Sequence, residues 1–149
     1  MTTSSSSLVF ELLSQRCRLI FSSPYHFAPV KVSYLLPPSR LALCVATSIT
    51  QGGKGGFKDT YPEEYLAAVL KEVYTRANLD PALIEDISVG NVCPPGGGAN
   101  AARMAGFAAG IPYTTPLQTI NRQCSSGLAA VHGIANAIRS GQIDIGIGE

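Results

Sequence analysis

The spacing of apolar positions changes repeatedly along this chain, and each change marks an element. Leu41-Ala42-Leu43-Cys44-Val45-Ala46 is an unbroken apolar run suited to a buried central strand. From about Pro62 the spacing turns helical, with Leu66, Val69, Leu70 and Val73 on one face and Glu63 and Glu64 at the positive end of the helix dipole. That face is core. Asp80-Pro81 opens a short helical turn, and residues 84–92 then read as a strand. An alanine-rich helix is expected from Ala101 to Ala109, ended by the breaker Gly110-Ile111-Pro112. Thr115 to Ile120 has the alternation and β-branched content of a half-buried strand. Gly127 to Arg139 sets Leu128, Val131, Ala135 and Ile138 at helical spacing and stops at Ser140-Gly141. A last strand begins near Gln142, with Ile143, Ile145 and Ile147 separated by Asp144 and Gly146. Strands alternating with helices predict an α/β fold, its sheet covered by helices on both faces.

Composition then separates the first 40 residues from the rest. Residues 1–40 carry a serine run from Ser4 to Ser7, Arg16, Arg18, Lys31 and Arg40, and a single acid, Glu11. A targeting segment fits this composition, and so does an unstructured leader or a misplaced translation start. Residues 41–149 read as the folded domain. With a net charge of +1, no basic or acidic surplus points to nucleic acid. No stretch has the apolar length of a membrane-spanning helix. Cys17, Cys44, Cys93 and Cys124 form no Cys-x-x-Cys pair and have no histidines at ligand spacing, which argues against a metal site and against a disulfide scaffold.

Chemistry concentrates at Asn121-Arg122-Gln123-Cys124-Ser125-Ser126-Gly127-Leu128, where a strand runs into a helix at a cysteine. A thiol there faces the positive end of the helix dipole, which favours the nucleophilic thiolate, and the small residues after it admit a substrate carbonyl. Cys124 is the candidate nucleophile. His132 is eight residues on, roughly 12 Å along a helix and too far to act as its base. The glycine-rich stretch Gly52 to Gly56 has no Ser or Thr after Lys54 and no helix start, so it reads as a connecting loop and not a phosphate cradle. Pro94 and Pro95 likewise spoil the turn that a dinucleotide site would need, and Cys93 before them reads as a buried filler.

Asn-Arg-Gln-Cys-Ser-Ser-Gly-Leu resembles the nucleophile signature of the thiolases, most closely the peroxisomal 3-ketoacyl-CoA thiolase branch. Gly52-Gly53-Lys54-Gly55-Gly56-Phe57-Lys58-Asp59-Thr60 is similar to the family's early loop, and Ile87-Ser88-Val89-Gly90-Asn91-Val92 to its second strand. The matches come in family order over residues 46–149. Ala46-Thr47 stands where the family usually has Arg-Thr. The resemblance implies a thiolase-like fold, this chain forming the first part of an N-terminal αβα layered domain with an incomplete sheet. It implies an acyltransferase that cleaves 3-ketoacyl-CoA, or runs the reverse condensation, through an acyl-Cys124 intermediate in fatty-acid β-oxidation. The β-ketoacyl synthases share fold and nucleophile, but the early Gly-Gly-Phe-Lys-Asp-Thr match favours thiolase. Acyl-CoA is the implied substrate and coenzyme A the co-substrate, with no bound cofactor and no assigned cofactor-binding residues.

The same resemblance implies a homodimer through the strand from Leu117 to Asn121, and a peroxisomal location, with mitochondrion or cytosol as alternatives. Arg18-Leu19 followed by His26 misses the family's peroxisomal signal spacing by one residue. The family's base histidine, its second cysteine and its Asn-Glu-Ala-Phe segment all come downstream of Glu149. The chain alone is therefore expected to be inactive, with its strand from Gln142 left as an exposed edge. The alternative function is that of a non-catalytic fragment that associates with a full-length subunit.

Overall fold

Parallel strands cannot be joined by a tight turn, so each must be followed by a crossover long enough to return along the sheet, and here helices serve as crossovers. The computed structural model describes residues 41–43 and 54–149. Its elements are β1 (Leu41–Leu43), α1 (Pro62–Ala77), β2 (Asp86–Gly90), α2 (Ala99–Ala108), β3 (Leu117–Ile120), α3 (Ser126–Arg139) and β4 (Ile145–Gly148). All pairings are parallel, and the four strands lie in the order β1-β4-β2-β3. The leader 1–40, the Arg18-Leu19 and His26 spacing, Ala46-Thr47 and the start of the glycine-rich loop lie outside the described residues.

Helix α1 forms as its sequence predicts. Pro62 opens it, the Tyr61 backbone N–H donates to Glu64 Oε2 at 3.1 Å, and Asn78 ends it in the left-handed region at φ 51°. Leu66, Val69, Leu70 and Val73 are all buried. They pack with Ala102, Ala105 and Ala109 of the α2 region and with Ile87, Val89 and Ile147 of the sheet in one apolar cluster. The Tyr74 hydroxyl donates to the Ala109 carbonyl at 2.7 Å and ties α1 to the end of α2.

On the opposite face, the middle of the sheet along β2 and β4 is nearly bare of side chains. Because residues alternate across a strand, the positions next to Ile87, Val89 and Ile147 are Asp86 at the start of β2 and then Ser88, Gly90, Gly146 and Gly148. Helix α3 lies against this face, so close that a Cβ on Gly148 would stand 2.6 Å from the Cα of Val131. A Cβ on Gly90 would collide with the backbone N of Gly127. Helices thus cover both faces, as an αβα layering requires.

Three expectations are corrected here. Strand β4 is not an exposed edge: it lies between β1 and β2, because the α3 crossover carries the chain back past β2. The outer strands among the described residues are β1 and β3, so Leu41–Leu43 is not central. The buried stripe of α3 is Ser126, Ala130, Ile134 and Ile138, while Leu128 is 74% exposed. Close contact with a glycine face selects small residues near the helix start, where a leucine would not fit.

Candidate active site

The loop between β3 and α3 is built from short polar side chains that bond its own backbone. Asn121 Oδ1 accepts from the Gln123 N–H at 3.0 Å, the local turn that asparagine favours. Its Nδ2 reaches the Val92 carbonyl at 3.5 Å, and the Asn91 N–H donates to the Ile120 carbonyl at 2.9 Å, so the loops after β2 and β3 are joined. Gln123 sits at φ 53°, a left-handed conformation uncommon for a residue with a Cβ. The Ser125 hydroxyl donates to the Arg122 carbonyl at 3.0 Å. The Ser126 hydroxyl accepts from the Arg122 N–H at 2.8 Å and donates to the Gln123 carbonyl at 2.6 Å.

Cys124 rides on this turn as an exposed free thiol, just ahead of the α3 N-terminus. Backbone N–H groups of a first helical turn lack acceptors within the helix; here the Ser125 and Ser126 N–H groups donate to the Arg122 and Gln123 carbonyls at 3.2 and 3.1 Å. His132 is exposed on α3, with its Nε2 3.2 Å from Asn136 Nδ2, one turn further along the helix. The structure therefore brings Cys124 to a helix end, as the residue pattern predicts, and keeps His132 away from it.

Beyond the carboxyl ends of β2 and β4 opens a second feature, a cleft of ≈ 840 Å³ whose lining includes Tyr65, Leu66, Val89, Cys93, Ala102 and Glu149. Cys93 is exposed, which corrects the expectation of a buried filler: it lies past the end of β2, in the loop that lines this cleft and not under a helix. Burial pushes the Glu149 carboxyl up to about 8, and its Oε2 is buried without a hydrogen-bond partner. The Tyr65 hydroxyl is raised by burial first and by the nearby Glu149 second. Neither Cys124 nor its loop lines this cleft. Sequence reading passed over Glu149, since an acid after a glycine-rich strand carries no sign of burial. It also passed over Asn121 and Ser126 as loop supports, although an asparagine two residues before a turn is a recognisable signal. Among the described residues, no group of three or more His, Cys, Asp or Glu side chains is placed to hold a metal ion.

Residues 42–148 match the family described as thiolase, N-terminal domain. The peroxisomal 3-ketoacyl-CoA thiolase B of Rattus norvegicus is 56% identical over 101 residues, covering 68% of this chain and 24% of that protein. The chain thus spans about a quarter of that relative's length. Among solved structures, the dimeric peroxisomal thiolase of Saccharomyces cerevisiae superposes with a TM-score of 0.63 at 48% identity, over 66% of this chain and 26% of that one. A thiolase of Ascaris suum in complex with coenzyme A gives a TM-score of 0.56 at 33% identity, over 60% of this chain and 24% of that one. With β2 to β4, all three helices and the cysteine turn inside the matched stretch, the chain belongs to the thiolase family.

Proposed function

We propose that this chain supplies the nucleophile-bearing part of a thiolase-type acyltransferase, acting on 3-ketoacyl-CoA in peroxisomal fatty-acid β-oxidation. The observation that carries this reading is the exposed Cys124 thiol at the β3–α3 junction, inside the stretch that matches the thiolase N-terminal domain. In the forward direction the thiolate sulfur attacks the 3-keto carbon. The bond to the neighbouring carbon breaks, that carbon takes a proton and leaves as acetyl-CoA, and the acyl group stays on Cys124 as a thioester. The thiol of a second coenzyme A, the co-substrate, then takes the acyl group and returns the proton. The condensation runs the same steps backwards.

Both directions need a base beside the sulfur. His132, turned to Asn136 and far along α3, does not serve, so on this reading the base comes from outside the described residues. Residues 41–149 act as one domain whose remaining machinery is supplied elsewhere, and the 149-residue chain by itself performs no multiple turnover. The peroxisomal setting is supported by the rat relative, the coenzyme A co-substrate by the Ascaris suum structure, and a homodimer by the dimeric yeast enzyme. We assign the dimer contact to the stretch from Leu117 to Asn121, because β3 is an outer strand with one edge unpaired among the described residues. That edge also favours a second reading, in which the chain turns over nothing and pairs with a complete subunit.

The test uses the protein at the length at which the cell makes it, incubated with an acyl-CoA and analysed by peptide mass spectrometry. An acyl group on the Cys124 peptide, absent in Cys124→Ser, is the expected result. Acylation of Cys93 instead, or of no cysteine, overturns the reading.

A further inference from the structure

Ser126 is the first residue of α3, and only 4% of it is exposed. A serine at a helix start commonly turns its hydroxyl to water or to the helix's own free N–H groups. Here the hydroxyl points backward instead and uses both of its bonding capacities on the turn before it. It accepts from the Arg122 N–H and donates to the Gln123 carbonyl, at 2.8 and 2.6 Å. These two bonds straddle Cys124. They also close around Gln123, whose left-handed backbone has no glycine to account for it.

The ends of the turn are fixed by other means. Asn121 is tied to the loop after β2, and Gly127 is pressed against Gly90 with no room for a Cβ between them. Ser125 adds bonds to the Arg122 carbonyl but is itself exposed. Of the side chains that bond the middle of the turn, where the thiol sits, those of Asn121 and Ser125 belong to exposed residues, and Ser126 brings the one buried hydroxyl.

We propose that Ser126 is the positioning residue for Cys124, holding the thiol at the end of α3 without touching substrate. The proposal rests on Cys124 being the acyl carrier. Its test, however, reads the thiol directly. Cys93, exposed on the neighbouring loop and not bonded to this turn, serves as an internal reference. Alkylation rates with iodoacetamide are followed at both cysteines by peptide mass spectrometry in the wild type, Ser126→Ala and Ser126→Thr.

Ser126→Ala is expected to lower the Cys124 rate relative to Cys93 by about fivefold, the size of one net hydrogen bond. Ser126→Thr, which keeps the hydroxyl, is expected to hold the wild-type ratio. In the complete enzyme the alanine change lowers kcat and leaves KM in place. An unchanged ratio in Ser126→Ala, a parallel change at both cysteines, or a threonine variant that behaves like alanine overturns the proposal. The two readings fail separately. Absence of acyl-Cys124 with a shifted alkylation ratio defeats the acyl-transfer reading alone, and acyl-Cys124 with an unshifted ratio defeats the positioning role alone.

Discussion

At Glu149 a carboxyl group lies where water scarcely reaches, and burial moves its pKa from 4.5 up to about 8. The neutral form suits the fold, so between these two values the folded state holds a proton that the unfolded chain releases. The stabilising contribution is full below about pH 4.5 and is lost as pH rises through 8. Denaturant midpoints are accordingly expected to fall between pH 5 and pH 9, by on the order of a few kcal/mol in stability. In Glu149→Gln that slope is expected to flatten, and an equally steep slope in the variant would place the titrating group elsewhere. Nothing in the sequence hinted at this, because the burial of Glu149 comes from packing at the ends of β2 and β4. Cys124 was legible for the opposite reason. Its setting is local, a strand end, a cysteine and small residues opening a helix, and local order is what a linear sequence displays.

Among elements, α3 is the one whose face the sequence misplaced. Leu128, Val131, Ala135 and Ile138 keep helical spacing, yet the structure buries Ala130, Ile134 and Ile138 and leaves Leu128 exposed. Two stripes of one helix can carry similar apolar content, and the partner surface chooses between them. Here the partner is a strip of small residues on β2 and β4, which accepts a close backbone and small side chains. Ile138→Ala is expected to cost about 2–5 kcal/mol, as buried isoleucine truncations do, and Leu128→Ala to stay within roughly 0.5 kcal/mol. Urea unfolding of both variants decides; equal losses would mean that Leu128 is packed in solution. By contrast α1 was legible in full, because Pro62, the acids of its first turn and four apolar positions all indicate the same helix and the same face.

At the scale of the whole molecule, β4 enters between β1 and β2, leaving β3 on one side of the described sheet with an open edge. A strand in that position invites pairing with a second chain. Sedimentation at micromolar concentration is expected to give a dimer for the natural-length protein, and a monomeric boundary there would remove the assignment to the stretch from Leu117 to Asn121. The intact mass of the endogenous protein, found through the Cys124 peptide, bears on the same point. A species well above 15.6 kDa supports the complete-enzyme reading, and a species at 15.6 kDa supports association with a complete subunit.

By itself the sequence determined the alternation of strands and helices, the core face of α1, and the cysteine before α3, since each is written in neighbouring residues a few positions apart. Strand order was decided only in three dimensions. So were the choice of face on α3, the exposure of Cys93, the burial of Glu149 and the double bonding of Ser126. The common physical reason is that each depends on which distant segment arrives alongside. A glycine at position 90 or 148 reads as a weak strand residue until α3 is seen lying against it, and only then does the absence of a side chain become what allows the helix after Cys124 to dock.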